Sequence, residues 1–259
     1  MAEISNNAIK TSKQSLVLLH GWGVNSAIFE PLATQLCDEF HVTCLDLPGF
    51  GDKADDYPVS YILDNIAATV ANLIPENSIV AGWSLGGLVA TKVALKHPEK
   101  VDKLIHIASS PCFVAKDQWP GIKPDVLSMF HQQLEANISK TLSGFLKLQA
   151  MGSPHVREDI RLIQQLVEQK PQPSQFVLDK GLDILESSDL RQHLSQLKQP
   201  LLRVYGKLDS LVPHKAIDII DQLVPNSDSI VLAKASHAPF ISHQSEFIEV
   251  LVNWIHQKS

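Results

Sequence analysis

One serine of this chain stands in the pattern G-x-S-x-G, which is typical of a catalytic nucleophile. Ser84 lies between Gly82 and Gly86, after the apolar run 78–81 and before the helix-forming run 88–95. A strand that turns this sharply into a helix crowds the backbone, so the turn needs residues without a Cβ atom. The pattern predicts a strained Ser84 that is exposed at the apex of the turn. The competing interpretation is that Ser84 only caps the following helix.

A serine hydroxyl is a weak nucleophile at neutral pH, so it needs a base and an acidic group that orients the base. Asp209 follows the apolar run 200–206, and His237 follows the run 229–233. Both residues therefore stand where parallel strands end at one edge of a sheet. The order Ser, Asp, His along the chain is the order used by α/β-hydrolases. We predict Ser84, Asp209 and His237 as a catalytic triad.

Other residues compete for the two supporting roles. His243 and His214 also stand near the predicted cleft loops. An aspartate after a strand, such as Asp209, often only makes a hydrogen bond within its own turn. Asp46, in the loop D-L-P-G-F-G, is interpreted as a solvated loop acid.

Acyl transfer also needs hydrogen-bond donors for the oxyanion that forms on the carbonyl. The backbone N–H of Leu85 follows the nucleophile at a helix N-terminus, where the helix dipole favours negative charge. The second donor is predicted to be the backbone N–H of Trp22, in the loop 21–23 after the first strand. The rings of Trp22, Trp83 and Phe145 are candidates for the walls of a substrate pocket, and simple core packing is the alternative for each.

Short apolar runs alternate with helical patterns in the first and last parts of the chain. The predicted strands cover residues 15–20, 40–45, 79–81, 103–108, 200–206 and 229–233. Such alternation implies crossover connections and hence a mostly parallel sheet covered by helices on both faces. Helices are predicted over 27–36, 60–73 and 247–255, with Ser26 as the N-cap of the first.

The alternation stops in the segment 123–188, where apolar residues recur with helical spacing and no buried strand is predicted. We interpret this segment as an insertion of about four short helices. The single domain is accordingly divided into an α/β core, residues 1–119 and 189–259, and a helical cap insertion, residues 120–188.

The composition argues against several classes of protein. Charged residues make up 19% and hydrophobic residues 44% of the 259 residues, which is ordinary for a globular protein. A formal net charge of -6 argues against nucleic-acid binding, because phosphate binding needs a basic face. Three widely spaced cysteines predict neither a disulfide framework nor a metal cluster. Residues 1–14 lack the apolar core of a signal peptide and no run is long enough to span a membrane, so we expect a cytoplasmic protein.

Five segments carry a resemblance to a known family. They are H-G-W-G at 20–23, D-L-P-G-F-G at 46–51, G-W-S-L-G-G at 82–87, W-P-G-I-K-P-D at 119–125 and H-A-P-F-I-S-H at 237–243. The first three are shared widely among α/β-hydrolases. The last two resemble one family in particular, the pimeloyl-[acyl-carrier protein] methyl ester carboxylesterases of biotin synthesis (the BioH family). The resemblance runs from about residue 16 to residue 255.

This resemblance implies an α/β-hydrolase fold with a helical cap and hydrolysis of a pimeloyl methyl ester carried on acyl-carrier protein. No metal and no organic cofactor is needed, and we expect a monomer whose partner is the carrier protein, with no nucleic acid and no membrane involved. In the family, basic residues on the cap helices hold the acidic carrier. Lys140, Arg157 and Arg161 match them, whereas Gly144 stands where another basic residue is expected. A solvated helix face is the alternative interpretation of these cations.

Other functions stay open. A general short-chain carboxylesterase or a C–C bond hydrolase would use the same triad. A dehalogenase is disfavoured, because its nucleophile is an aspartate and this position holds Ser84. Outside the enzymes, an α/β-hydrolase fold can serve as a non-catalytic binding protein.

Overall fold

Six parallel strands form one sheet in the computed structural model, which describes residues 13–258. The strands are β1 (Ser15–Leu19), β2 (His41–Leu45), β3 (Ser78–Trp83), β4 (Val101–Ile107), β5 (Leu201–Gly206) and β6 (Asp228–Leu232), in the spatial order β2-β1-β3-β4-β5-β6. Each neighbouring pair is parallel. All six strands predicted from the sequence are present, with small shifts at their ends.

The apolar character of the central strands follows from their burial on both faces. Every residue of β3 is buried, and so are four of the five residues of β1. A strand covered on both sides has no solvent face for polar residues, so it is continuously apolar rather than alternating. Because side chains alternate along a strand, Val17 and Leu19 join one hydrophobic cluster while Leu16 and Leu18 join another. The core therefore has two layers, one on each face of the sheet.

Ten α-helices surround the sheet in the described part of the chain. They are α1 (Glu30–Leu36), α2 (Leu63–Leu73), α3 (Leu85–Lys96), α4 (Pro124–Ala136), α5 (Ile138–Ala150), α6 (Val156–Val167), α7 (Gln175–Ser187), α8 (His214–Leu223), α9 (Pro239–Ser242) and α10 (Gln244–Gln257). The prediction of Ser26 as a helix cap is wrong. The Asn25 side chain accepts the N–H of Ala27 at 3.1 Å and so caps a 3-10 turn that precedes α1.

Four of these helices, α4 to α7, lie between β4 and β5, inside the range 120–188 that we assign to the cap. Helix α4 packs against α5 and α7, and α5 packs against α6. The division of the domain into core and cap remains our interpretation of this arrangement. Helix α8, which follows β5, was not predicted, although Ala216, Ile217 and Ile220 form a buried face with helical spacing.

The prediction that the chain has no signal peptide concerns mainly residues 1–12. These residues, like Ser259, lie outside the described part of the chain. Among the helices of residues 13–258, none is long and apolar enough to cross a membrane.

Candidate active site

Ser84 occupies the turn between β3 and α3. Its φ of 54° and ψ of -119° place it in a backbone region that residues with a side chain rarely adopt. Its N–H donates to the carbonyl of Ile107 on β4 at 3.0 Å, which anchors the turn to the sheet. A Cβ atom at Gly86 would collide with the carbonyl oxygen of Leu19, and one at Gly82 would collide with that of Gly86. The two glycines therefore allow helix α3 to start directly against the strands, as the pattern predicted.

The prediction that Ser84 is exposed is wrong, because the residue is only 2% exposed. The end of the sheet that carries the serine is covered by helices of the insertion. Phe145 of α5 packs on the Trp22 ring, and the Leu178 carbonyl of α7 accepts the Trp22 indole N–H at 2.8 Å.

Asp209 and His237 form a buried pair. His237 Nδ1 lies 2.8 Å from Asp209 Oδ2, and both side chains are fully buried. The other oxygen of Asp209 accepts the N–H groups of Leu211 and Val212 at 2.8 and 3.1 Å. With the Nδ1 proton donated to the carboxylate, the lone pair of the neutral ring is on Nε2. That Nε2 is buried and has no hydrogen-bond partner among the described residues, so the structure shows no hydrogen bond between it and the Ser84 hydroxyl.

The loops after β5 and β6 meet because of one close backbone approach. A Cβ atom at Gly206, the last residue of β5, would overlap the carbonyl oxygen of Ser236. Two residues later, the N–H of Leu208 donates to the carbonyl of Ala235 at 2.9 Å. The segment leading to Asp209 therefore runs directly beside the segment leading to His237.

The histidine loop is also tied to the serine turn. The indole N–H of Trp83 donates to the carbonyl of His237 at 2.7 Å, and the two rings lie 5.6 Å apart between centroids. Because Trp83 directly precedes Ser84, this contact holds His237 beside the turn. His243 instead contacts Ser242 Oγ through Nδ1, and His214 begins helix α8. Of these three histidines, the structure places His237 against Asp209.

Two backbone donors lie near Ser84. Leu85 is the first residue of the twelve-residue helix α3, and an ideal Cβ at Gly21, the residue before Trp22, would lie 3.2 Å from the Ser84 Cβ. Neither Leu85 nor Trp22 uses its backbone N–H in a hydrogen bond to the residues that the structure describes. The Trp22 indole is already bonded to Leu178, so only its main chain is free to donate. This placement suits the predicted oxyanion hole.

The three aromatic residues predicted to form the pocket fall into two hydrophobic clusters. Phe145 packs at 4.6 Å from Trp22 and 5.3 Å from Phe130 in one cluster. Trp83 belongs to the other cluster and packs on Phe240 at 5.2 Å. The role of Trp22 and Phe145 as pocket walls stays a prediction. For Trp83 the contacts indicate a support for the histidine loop as well.

The sequence patterns did not indicate Gln149, near the end of α5. Its carbonyl accepts the His237 N–H at 3.3 Å and the Ser236 hydroxyl at 2.9 Å. Its side chain is 0% exposed, yet neither amide atom has a partner among the described residues. Phe145 lies one helical turn earlier on the same face and packs on Trp22. Because a buried amide without a partner is costly, Gln149 is a candidate for contact with substrate or water. The available signal was a glutamine on an otherwise apolar helix face.

Asp46 is not a solvated loop acid, as the sequence was interpreted, but is 5% exposed. Its carboxylate accepts the N–H groups of Ser26 and Asp52 at 2.7 and 2.9 Å, and Lys170 Nζ at 2.8 Å. Burial alone would raise the pKa of Asp46, but the hydrogen bonds from Lys170 and the two N–H groups hold that pKa below its ordinary value. Lys170 follows α6, so this carboxylate joins the insertion to the core. The partner lies far along the chain, where sequence patterns do not indicate it.

His20 supports the predicted oxyanion loop from below. Its Nδ1 donates to the Gly21 carbonyl at 2.8 Å, and its Nε2 accepts the N–H of Leu47 at 3.0 Å. Complete burial lowers the pKa of His20 to about 4, although the bond to Gly21 opposes the shift. His20 is therefore a neutral ring at neutral pH that connects the loop after β1 to the loop after β2.

The cations predicted to dock a carrier protein lie on α5 and α6. Lys140, Arg157 and Arg161 are exposed, as is Lys147, and none forms an ion pair with a described residue. An ideal Cβ at Gly144 would have no atom within 4 Å, so this position faces open space. These cations lie on two packed helices, and their role in docking stays a prediction.

Comparisons with known proteins identify the family of this chain. Residues 14–244 match the family model described as alpha/beta hydrolase fold. A pimeloyl-[acyl-carrier protein] methyl ester esterase of Aeromonas hydrophila is 48% identical over 240 residues, covering 93% of this chain and 94% of that protein. Its counterpart from Pectobacterium carotovorum is 49% identical over 237 residues and covers 92% of each chain.

A solved structure is similar over nearly the whole chain. An esterase from Exiguobacterium antarcticum has a TM-score of 0.85 at 25% identity and covers 95% of this chain and 92% of its own. The predicted α/β-hydrolase fold is confirmed by the parallel sheet, the family model and this neighbour together. The chain belongs to the α/β-hydrolase superfamily and, within it, to the family of the pimeloyl-[acyl-carrier protein] methyl ester esterases.

Proposed function

We propose that this protein hydrolyses the methyl ester of pimeloyl-[acyl-carrier protein] and releases methanol. The substrate is supported by relatives of that name at 48–49% identity over more than nine-tenths of the chain. The chemistry is supported above all by one observation, the buried His237–Asp209 pair whose unpartnered Nε2 accompanies the strained Ser84 turn.

In the first half-reaction, Ser84 Oγ attacks the ester carbonyl while His237 Nε2 takes the hydroxyl proton. Negative charge moves onto the carbonyl oxygen, where the backbone N–H groups of Leu85 and Trp22 stabilise it. Asp209 holds the imidazolium in place through Nδ1. The tetrahedral intermediate then collapses, the C–OCH₃ bond breaks, and His237 gives its proton to the departing methoxide. Methanol leaves, and the pimeloyl chain is bound to Ser84 as an ester.

In the second half-reaction, water takes the place of methanol. His237 Nε2 removes a proton from the water, whose oxygen attacks the acyl-enzyme carbonyl. Collapse of the second intermediate breaks the bond to Ser84 Oγ, which recovers its proton from His237. The product is a pimeloyl chain with a free carboxylate, still attached to its carrier. The side-chain amide of Gln149 is available to hold the ester or the water, because it has no protein partner within the described residues.

The carrier protein is the proposed partner, and it meets the cap. Carrier proteins of this kind are acidic, whereas this enzyme has a net charge of -6, so attraction must come from a local basic surface. Lys140, Arg157 and Arg161 offer three exposed cations without ion pairs to described residues, and Lys147 lies on the same helix as Lys140. We further propose that the protein acts as a cytoplasmic monomer without nucleic acid, membrane, metal or organic cofactor in its reaction.

The test of the reaction compares two substrates, pimeloyl-[acyl-carrier protein] methyl ester and a p-nitrophenyl short-chain ester. Wild type is expected to cleave both, and Ser84→Ala is expected to lose roughly 10⁶-fold in kcat on both. Wild-type cleavage of the small ester without cleavage of the carrier-bound ester would instead support a general carboxylesterase. Absence of turnover on both substrates would revive the non-catalytic interpretation.

The test of docking uses the double variant Arg157→Glu with Arg161→Glu. Charge reversal is expected to lower kcat/KM for the carrier-bound ester by about 10-fold or more and to leave the small ester unchanged, because only the former needs the basic surface. Lys198→Glu with Lys215→Glu is a matched control, since both of these exposed lysines lie outside the cap. Equal losses on the two substrates, or an equal loss in the control, would contradict this docking surface.

A further inference from the structure

A cluster of side chains that can bind a metal ion lies between helices α4 and α7, outside the proposed triad. His131 projects from α4, and Asp179, Asp183 and Glu186 project from α7. The spacing of four and then three residues places the three carboxylates on one face of α7. That face meets His131, because α4 and α7 pack against each other.

The two nitrogens of His131 have different surroundings. Nδ1 lies 2.6 Å from Asp179 Oδ1, a good hydrogen-bond distance. Nε2 is buried and has no hydrogen-bond partner among the described residues. It lies 3.8 Å from Asp183 Oδ1 and 3.6 Å from Glu186 Oε2. One carboxylate therefore orients the ring, and the unpartnered nitrogen points at two others.

This arrangement resembles a metal ligand set more closely than an ion pair. Metal-binding histidines commonly donate one ring N–H to a carboxylate while the other nitrogen binds the ion. Two atoms that bind one tetrahedral zinc ion at 2.0–2.1 Å are separated by about 3.3 Å, only a few tenths of an ångström below the observed distances. A protonated histidine in direct contact with a carboxylate would instead lie at about 2.7–2.9 Å.

The neighbouring charges leave the inner oxygens free. Lys180 Nζ bonds Asp183 Oδ2 at 2.6 Å, so the other oxygen of Asp183 is the one that faces His131. The candidate ligand atoms of His131, Asp179 and Asp183 all lie within 4.8 Å of one another. Glu186 lies outside this group, so its exposed side chain must turn toward Asp183 for the two carboxylates to share an ion.

We propose that His131, Asp183 and Glu186 bind a divalent cation of the zinc class, with Asp179 orienting the imidazole. The imidazole nitrogen selects zinc and similar transition ions over calcium or magnesium, which prefer all-oxygen sites. Water completes the coordination. The site has no part in the proposed ester hydrolysis.

Its consequence is a link between two cap helices. The residue before Asp179 is Leu178, whose carbonyl holds the Trp22 indole. An ion between α4 and α7 therefore stabilises the helix that packs on the predicted oxyanion loop. We expect binding to raise the thermal stability of the whole domain, since it binds the folded state alone.

The experiment titrates Zn²⁺ into the full-length, tag-free protein by calorimetry at pH 7.5. We expect one equivalent to bind, and the Tm to rise by about 5 °C when free Zn²⁺ is about 100 times the Kd. His131→Gln and Glu186→Gln should each lower the affinity at least about 10-fold while keeping the wild-type circular dichroism spectrum. His256→Gln is the matched control, because His256 pairs with Glu39 at the surface at 3.3 Å.

Three results would overturn the proposal. One is an absence of Zn²⁺ binding up to a free concentration of about 1 mM, far above the Kd expected of a specific site of this type. The second is unchanged affinity in both His131→Gln and Glu186→Gln, since the Glu186 side chain is 43% exposed and its variant is expected to fold even if the His131 variant does not. The third is binding of Ca²⁺ or Mg²⁺ as tight as that of Zn²⁺, which would remove the reason for a histidine ligand.

Discussion

The core and the cap of this molecule position their residues in different ways. At the sheet edge, backbone hydrogen bonds determine the geometry: Ser84 is held by Ile107, and Asp209 is held by the N–H groups of Leu211 and Val212. The cap packs on the core through apolar side chains, such as Phe145 on the Trp22 ring, and through long-range hydrogen bonds, such as that of the Trp22 indole with the Leu178 carbonyl. We therefore expect residues at the sheet edge to determine the reaction and residues of the cap to determine which substrates are accepted. Changes at the sheet edge should affect every ester, and changes in the cap should affect some esters more than others.

Three further groups of polar contacts, here called seams, join the two regions. The Ser236 hydroxyl bonds the carbonyls of Gln149 and Met151 at the end of α5. The Asn25 amide donates to the Val167 carbonyl at the end of α6 at 2.8 Å. The third seam is ionic and is centred on Lys170. Each seam joins the cap to a loop that carries or supports a predicted catalytic group, so the cap can influence the site without supplying the triad.

The largest effect is expected from Asp209→Asn. The amide keeps an acceptor for Leu211 and Val212 but no longer stabilises the required tautomer of His237, and the corresponding change in serine proteases lowers kcat about 10⁴-fold. We expect a loss of that order in kcat on both the small ester and the carrier-bound ester, measured at steady state. Asp218→Asn, an exposed aspartate on α8, serves as the control and should retain activity. A loss confined to one substrate would break the separation between core and cap.

The second prediction concerns how the free energy of unfolding depends on pH through two buried histidines. Burial lowers the pKa of His20 to about 4, and burial together with Arg203 lowers that of His106 to about 3. The unfolded chain binds protons at these rings from about pH 6.5 downward, so the free energy of unfolding must fall as pH drops from 6.5 toward 4. For His20 alone this loss is on the order of 3 kcal/mol.

Urea unfolding at pH 7 and pH 4 measures this loss. His20→Gln should show a smaller fall than wild type, since the titrating ring is gone, while His256→Gln at the surface should match wild type. If the free energy of unfolding of His20→Gln fell as much as that of wild type, the loss at low pH would come from proton binding to groups other than His20.

The smallest effect is expected at the ionic seam. Lys170→Met removes a cation that contacts Asp46, Asp52 and the Ser26 hydroxyl at 2.6–2.9 Å. The Asp46 carboxylate keeps its two backbone donors, so we expect a loss of about 1–2 kcal/mol in the free energy of unfolding, between the values for surface and buried pairs.

The matched control for this seam is Lys53→Met, which removes an exposed pair with Asp56 at the core surface. Its expected effect is under about 0.5 kcal/mol in the same urea titration. If the two variants lost equal stability, the Lys170 seam would be an ordinary surface ion pair. If KM for the carrier-bound ester changed in Lys170→Met but not in Lys53→Met, the Lys170 seam would also affect substrate binding.

Local patterns predicted the fold and much of the candidate site because both depend on short segments. A strand followed by a glycine-flanked serine and a helix contains its own geometric reason, and β3, Ser84 and α3 follow it. Asp209 and His237 were predicted because the ends of parallel strands converge at one edge. Helix α8 was missed although its buried face has clear periodicity, which shows that a short segment between two strands is easily interpreted as loop.

The α/β-hydrolase fold, the serine turn and the residues of the buried Asp209–His237 pair were predictable from the amino-acid sequence, because they depend on strand order and local turn geometry. The burial of Ser84 and the ionic seam between Asp46 and Lys170 became visible in the folded molecule. The tertiary structure alone placed Gln149, whose side-chain amide has no partner among the described residues, against the His237 backbone, and His131 against three carboxylates of α7. The physical reason is that these features depend on contacts between segments far apart in the chain, and no local pattern specifies which distant side chain will fill a given space.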